Sequence, residues 1–331
     1  MEMRVLKEKE MKQVFEMKEA IQADKDALSL YSAEEVDIPL RINLDVPEEE
    51  GRSLYMPGYA AKAHALGVKI VSVYPKNIEK GLTSVPATMV LVDTETGQVC
   101  SIMDGTYLTR LRTGAVAGAA TDLLAREDSS VFTLVGTGGQ AETQLEAVLA
   151  VRPIKTVYVF DIDFERAEAF AKTMTSLYGE KYGTTIEAVS DIEKAIRKSD
   201  VITSVTTSPV KTFENEWVKS GAHINGVGSF TPEMAEIDAA ILQNAGKVYC
   251  DTKDALVESG NFTQAVEKGM FNLEDVTGEL GDLINKEAPG RESEKEITFF
   301  NTTGNAVLDI VTAQRIYEAA VKNNIGTLLE F

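Results

Sequence analysis

The feature that most constrains this chain is a glycine turn set between two apolar runs. Val131, Phe132, Leu134 and Val135 read as a strand that breaks at Gly136-Thr137-Gly138-Gly139-Gln140-Ala141, and a helical run follows over 144–151. A second apolar run, Val157-Tyr158-Val159-Phe160, ends in Asp161. A bare GxGxxA string also occurs in ordinary loops, but strand, glycine turn, helix, strand and acid in this order form the full context of dinucleotide binding. Gly136 permits the tight turn, Gly138 lets the backbone approach a pyrophosphate, and Ala141 stands where a third glycine usually brings helix and strand together. The helix N-terminus then faces the diphosphate. Gly136, Thr137, Gly138, Gly139, Gln140 and Ala141 are therefore candidate cofactor-binding residues, with Asp161 accepting from both adenosine-ribose hydroxyls. A 2′-phosphate would meet the charges of Asp161 and Asp163, and Ile162 supplies no cation, so NAD is expected, with NADH preferred over NADPH.

Length and charge bound the rest. A chain of 331 residues exceeds one ordinary core and suits two domains. Its formal net charge of -19 argues against a nucleic-acid or anionic-membrane partner. No apolar run is long enough to span a bilayer, and the charged start over 1–10 is unlike a signal peptide. Cys100 and Cys250 alone do not make a disulfide framework, which fits a reducing cytoplasm. His64 and His223 are the only histidines, so a metal cluster or hydrolase triad lacks material; no metal site is expected, and each reads as a packing or surface residue.

Before the glycine turn, the pattern is α+β. An amphipathic stretch over 11–32 precedes candidate strands at 40–44, 53–59, 65–74, 87–93 and 98–103, with turn signals at 93–97 and Asp104-Gly105. Residues 109–125 read as a connecting helix. Beyond Asp161, helices at 165–178 and 192–198 alternate with strands at 186–189, 201–205, 223–227 and 247–250. A last helix, 307–322, follows Thr302-Thr303-Gly304-Asn305, and the charged stretch 286–296 reads as a solvated loop.

Several pieces outside the turn form one pattern: Gly67-Val68-Lys69-Ile70-Val71, the run Asp104-Gly105-Thr106-Tyr107-Leu108-Thr109-Arg110-Leu111-Arg112-Thr113-Gly114-Ala115, the glycine turn with Gln140, and residues 304–309. Together they resemble the ornithine cyclodeaminase/mu-crystallin family over nearly the whole chain, the run 104–115 being the most specific element. The resemblance implies an α/β protein in which a Rossmann-type, doubly wound NAD-binding domain, 119–303, is inserted into an α+β substrate-binding and dimerisation domain, 1–118 with 304–331. It also implies a homodimer joined through the N-terminal sheets, which would cover open strand edges, and an active site in the cleft between the domains.

Arg41, Lys69 and Arg112 match that family's cationic substrate residues, Thr113 adjoins Arg112 in the same motif, and Ser84 stands where relatives bind the substrate carboxylate through a hydroxyl. By the same resemblance Val205, Thr206 and Thr207, with Val227, Gly228 and Ser229, line the nicotinamide. Arginine forks suit a carboxylate better than an ammonium does. Lys69 has the freer role, and the resemblance implies that it protonates the substrate nitrogen or carbon framework, or takes that proton in the reverse direction, which requires neighbouring cations to lower its pKa. Taken singly, each basic residue reads as a surface ion-pair partner; the motifs around Lys69 and Arg112 change that reading, while Arg41 sits in the shorter match Pro39-Leu40-Arg41.

One position departs from the founding activity of the family. True cyclodeaminases carry an aspartate directly after the glycine at which this chain has Ser229, and a serine is no anionic base near neutral pH. Glu233 and Glu236 are nearby, but read as the acidic start of the next helix. The expected function is an NADH-dependent reductase of cyclic imino acids, giving L-proline from 1-pyrroline-2-carboxylate or L-pipecolate from 1-piperideine-2-carboxylate. Ornithine cyclodeamination, or dehydrogenation of an open-chain amino acid such as alanine, is the second enzyme reading; a crystallin-like nucleotide-binding protein is the third.

Overall fold

The computed structural model describes residues 2–330. The chain divides into two compact units, one made of the residues up to Arg112 with those from Asn305 onward, the other of Thr113–Gly304. Strand β1 (Glu2–Leu6), helices α1 (Glu8–Val14) and α2 (Met17–Ser32), and strands β2 (Ile42–Val46), β3 (Gly51–Ala60), β4 (Ala65–Val73), β5 (Ala87–Val92) and β6 (Val99–Asp104) open the first unit. Helix α3 (Gly105–Leu124) carries the chain onward. The second unit begins with β7 (Val131–Val135), α4 (Ala141–Val151), β8 (Thr156–Phe160), α5 (Phe164–Met174), α6 (Glu180–Tyr182), β9 (Thr185–Ala188), α7 (Ile192–Ile196) and β10 (Val201–Ser204). It continues through β11 (His223–Gly226), α8 (Ala239–Asn244), β12 (Lys247–Cys250), α9 (Ala255–Glu258), α10 (Gly260–Glu267), β13 (Gly278–Glu279), α11 (Leu280–Ile284) and β14 (Thr298–Asn301). Helix α12 (Ala306–Lys322) and β15 (Thr327–Glu330) rejoin the first unit.

The first unit's sheet runs β15-β1-β6-β5-β4-β3-β2, antiparallel except where β1 meets β6. Strand β4 alternates as a half-buried strand should, turning Ala65, Gly67, Lys69 and Val71 to the buried face. A lysine in phase with that face is the oddity of the pattern. Helix α2 starts at a capping box in which Glu16 N donates to Glu19 at 2.7 Å, and it buries Met17, Ala20, Ile21, Ala27 and Leu28 at helical spacing. Helix α12 is buried all round over its first two turns, 306–313, and packs on α2, β3 and β4. Gly58 on β3 leaves room at this packing, since a Cβ there would come within 2.7 Å of Ile38 Cδ1 and 3.1 Å of Ile310 Cδ1.

In the second unit every strand pair is parallel, in the order β13-β12-β14-β11-β10-β7-β8-β9. From β7 the chain moves outward through β8 and β9, then returns to lay β10 on the other side of β7. The strand order therefore reverses beside β7, and the crevice at the carboxyl ends of β7 and β10 is where such sheets bind ligands. None of the helices is long and apolar enough to cross a membrane among the described residues.

The structure differs from the sequence expectations in several places. The stretch over 11–32 is two helices, broken where Phe15 and Glu16 take extended backbone. The charged start holds β1, whose Met3 and Leu6 are buried between β15 and β6, and β15 itself was not expected. The connecting helix starts at Gly105 rather than 109. Strand β14 was missed although it lies between β11 and β12 with all four residues buried. Phe299 of β14 is 0% exposed and meets Phe262 edge-on at 6.1 Å between ring centroids. Phe299→Ala should therefore cost about 3–5 kcal/mol, read as a lowered urea midpoint at unchanged slope; a loss below about 1 kcal/mol would show that this strand is not part of the packed core.

Candidate active site

Lys69 is 1% exposed, flanked on its sheet by buried Met56 and Met89. A charge so placed needs a partner. Asp309, in the first turn of α12 and 0% exposed, supplies it: Lys69 Nζ donates to Oδ2 at 2.6 Å, and Arg112 Nε donates to Oδ1 of the same carboxylate at 3.0 Å. Arg112 is thus held by its Nε edge. Among the described residues its Nη atoms take no hydrogen-bond partner, which leaves the fork available. Burial lowers the Lys69 pKa to about 8, with Arg112 and Arg41 pushing the same way and Asp309 opposing. Beside the cluster, Asp24 of α2 is fully buried and accepts from Thr312 Oγ1 at 2.9 Å; burial raises its carboxyl well above the usual range.

The structure so brings Lys69 and Arg112 onto one carboxylate, with Arg41 within electrostatic reach. Ser84 is half-buried in the loop before β5, its carbonyl accepting from Tyr74 N at 2.8 Å, and it stands outside the hydrogen-bonded cluster. Thr113 is buried, and its carbonyl accepts from Gln144 Nε2 at 2.8 Å. Sequence reasoning gave Asp309 and Asp24 no role. Asp309 carried a signal, being a lone acid inside Val307-Leu308-Asp309-Ile310-Val311, where a charge must find a buried cation.

In the second unit the glycine turn leaves β7 at Gly136, whose φ of +98 and closeness to Val205 O (2.9 Å from a notional Cβ) both require glycine. Over Gly138 and Gly139 the space is open, with nothing within 4 Å of a notional Cβ. That cradle lies at the N-terminus of α4, where buried Ala141 donates its N–H to Gly138 O at 3.0 Å. Thr137 fastens the turn to Asp161, its N–H and hydroxyl reaching Oδ2 at 3.0 and 2.5 Å, and Asp163 N reaches Oδ1 at 3.0 Å. Burial alone would raise the Asp161 pKa, but these bonds and the charge of Arg166 hold it below the usual range. The cradle, the helix end and an ionised acid with acceptor capacity left on Oδ1 fit a dinucleotide. Arg166 was not foreseen, because it sits a helical turn beyond the strand end.

The strand ends beside this turn are tied by Glu236, and here the expectation that it starts a helix is corrected. Its Oε2 accepts from Ser204 Oγ (2.8 Å), Thr206 N (2.7 Å) and Thr206 Oγ1 (2.9 Å), while Oε1 accepts from Gly228 N (2.6 Å) and Val227 N (3.2 Å). One buried carboxylate therefore joins the ends of β10 and β11. Asp238, not Glu236, caps α8, and Glu233 is exposed. Gly228 is forced to be glycine, since a Cβ there would lie 1.9 Å from Thr206 O. Val205 and Val227 belong to the unit's apolar core, and Thr207 is exposed.

Ser229 points into the protein. It is 0% exposed, donates to Met234 O, shares a 2.8 Å hydrogen bond with Ser259 Oγ, and accepts from Asn261 N at 3.4 Å. His223 is also structural: its ring bonds Thr298 and Asn225, and burial drives its pKa to about 3, so it stays neutral.

With this geometry in hand, comparison with known proteins is decisive for the family. Residues 1–324 match the sequence model of the ornithine cyclodeaminase/mu-crystallin family. The chain belongs to that family. It is 38% identical over 330 residues to the Delta(1)-pyrroline-2-carboxylate reductase of Bacillus cereus, covering 99% of this chain and 100% of that one. The Delta(1)-pyrroline-2-carboxylate reductase of Thermococcus litoralis, solved with NADH and L-proline, superposes with a TM-score of 0.91 at 36% identity, covering 98% of this chain and 99% of that one. An archaeal alanine dehydrogenase dimer with bound NAD gives 0.90 at 36% identity, with both chains covered completely.

The surroundings of Ser229 set a test. A carboxylate in its place would face the Met234 carbonyl without a cation, so Ser229→Asp should lower the unfolding free energy by about 3 kcal/mol or more, against about 1 kcal/mol for Ser229→Ala. Chemical denaturation of the two variants side by side reads the difference, and equal stability would show that the side chain turns elsewhere.

Proposed function

We propose that this chain is a cytoplasmic, NADH-dependent reductase of cyclic imino acids, converting 1-pyrroline-2-carboxylate or 1-piperideine-2-carboxylate into L-proline or L-pipecolate. The observation that carries the proposal is the pairing of a buried lysine with an arginine fork on one carboxylate, in a chain whose Ser229 is committed to its own fold. Arg112, through its Nη edge, and Arg41 hold the substrate carboxylate. Lys69, mostly ammonium below its pKa of about 8, gives a proton to the ring nitrogen. Gly136–Ala141, Asp161 and the ends of β10 and β11 would hold a reduced nicotinamide dinucleotide, which when bound would supply the hydride for the C=N bond. Ser84 and Thr113 complete the proposed carboxylate site, and Val205, Thr206, Thr207, Val227, Gly228 and the backbone of Ser229 the nicotinamide site.

The two units take the corresponding roles, the first for substrate and dimerisation and the second for the nucleotide. Strand β2 supports the homodimer: it is the sheet's edge, yet it exposes Ile42 (58%) and Leu44 (53%), with Leu40 (81%) just before it. A long apolar edge of this kind invites pairing with another chain. Asp161, ionised and with Asp163 close by, favours the unphosphorylated cofactor.

Purified protein with NADH and cyclic imine should consume NADH and form the cyclic amino acid in equal amounts, and the rate should fall as pH rises through about 8, where Lys69 loses its proton. Ammonia and proline released together from ornithine faster than imine is reduced would restore cyclodeamination; faster turnover of alanine with NAD would favour the open-chain dehydrogenase, the activity of the 36% identical Archaeoglobus fulgidus relative. NADH should give the higher kcat/KM of the two reduced cofactors. Asp161→Ser should narrow or invert that preference, because it removes the repelling charge and leaves Arg166 to meet a 2′-phosphate. Equal wild-type efficiency with NADH and NADPH would overturn the role given to Asp161.

A further inference from the structure

We propose that Asp309 is a positioning residue that divides one carboxylate between the two substrate-facing cations, orienting the Arg112 fork through Nε while holding Lys69 as an ammonium ready to donate. This rests on the imine-reductase reading. Three observations carry it. The carboxylate is fully buried, out of contact with bulk solvent. Each oxygen serves one cation, at 2.6 Å to Lys69 and 3.0 Å to Arg112, so neither can move without straining the other. Arg112 is gripped along Nε and not by its terminal nitrogens, which fixes the plane of the guanidinium and keeps its bidentate edge for an anion.

The charged groups facing Lys69 are few. Asp309 comes from α12, Arg112 from α3, and Arg41 from the segment before β2, while Asp24 of α2 faces Arg112 and Asp309. Its neighbours on β3 and β5 are Met56 and Met89. Asp309 is the one anion hydrogen-bonded to Lys69 among the described residues. Without that charge, burial and two cations all push Lys69 toward the free amine.

Asp309→Asn keeps the shape and removes the charge. Imine reduction needs the protonated lysine, so its rate falls as pH rises through the Lys69 pKa; in the variant that falling limb should move down by about 1–3 pH units, and the KM for the imine should rise at least about tenfold as the fork loses its hold. Binding of NADH, followed by its fluorescence, should stay within about twofold of wild type, since the nucleotide residues are untouched. A folded variant with an unmoved limb and an unchanged KM overturns the proposal. Lysine-selective 13C NMR, with the Lys69 signal identified by its loss in Lys69→Met, reads the same titration without turnover: the signal should titrate at lower pH in Asp309→Asn, and an unchanged titration overturns the proposal even if imine reduction itself proves not to be the activity. If Asp309→Asn does not fold, the double variant Lys69→Met/Asp309→Asn decides. Recovery of NADH binding there shows that the orphaned lysine was the fault and supports the pairing; continued unfolding makes Asp309 a packing residue and overturns it.

Discussion

One buried carboxylate holds the first unit of this protein together. Taking two cations and an anion out of water costs several kcal/mol per ion, and only close geometry offsets it. The three partners lie far apart in the chain: Asp309 is 240 residues from Lys69 and 197 from Arg112. Much of the first unit follows from bringing them together. Strand β4 must keep Lys69 in phase with its apolar face, α3 must present Arg112 before the chain leaves for the second unit, and α12 must come back after the second unit to deliver Asp309. The Asp24–Thr312 hydrogen bond adds α2 to the same arrangement, and Gly58 clears the room in which α12 sits. Removing either end of this unit's sequence would strand buried charge, which is a far larger penalty than the loss of surface contacts.

The second unit meets a related problem with neutral donors. Glu236 takes hydrogen bonds from both strand ends that border the glycine turn, and Asp200 takes them from Ser130 N and Val131 N at the start of β7 while also pairing with Arg126. Acids thus staple the parallel sheet at both ends of its central strands. Parallel strands leave their terminal amides pointing out of the ladder, and a carboxylate with two acceptor oxygens can collect several of them at once. The consequence at the ligand end is a rigid rim: Thr206 and Gly228 are packed so closely that no side chain fits between them, and Gly136 closes on Val205 from the other side. Sites built on fixed strand ends hold their geometry better than sites on free loops.

What the sequence made legible was what short-range pattern encodes. The glycine turn, the acid after β8 and the alternation of strands with helices are local, and the observed elements fall on them within a few residues at each end. What it hid was set by distant partners. Strand β14 is only Thr298-Phe299-Phe300-Asn301, preceded by an acidic stretch, so nothing local marks it as the middle of a sheet; its burial comes from β11 and β12 on either side. That preceding stretch reads as a solvated loop and is largely exposed, yet Arg291 reaches inward from it to the Leu124 carbonyl and the Thr298 hydroxyl. Strand β1 looked like a charged tail because Glu2 and Arg4 stand among its apolar residues, yet Arg4 is itself buried and its guanidinium is satisfied by the distant Ile325 carbonyl. The role of Glu236 was equally invisible: an acid just before a helix suits a helix start, and only the tertiary structure shows that its carboxylate turns back to the strand ends. In the buried cluster the cations were legible from their motifs, but the anion that pairs with them was not, because a lone acid in an apolar stretch becomes meaningful only when its cations are known.

The same reasoning bears on how one family divides between ring-closing lyase and reductase chemistry. Cyclodeamination is expected to need an anionic base at the position of Ser229, and the two acids that follow it in the sequence are placed elsewhere. Glu236 is spent on five donors. Glu233 is exposed on the 229–234 turn, and position 229 itself is enclosed by the Met234 carbonyl, Ser259 and Asn261. Exchanging that one residue would place a charge beside the Met234 carbonyl oxygen, so a carboxylate at position 229 would need the surrounding hydroxyl and amide network to change with it. A buried lysine whose pKa lies near 8 suits the role proposed for Lys69 in a reaction that adds one proton and one hydride to a C=N bond.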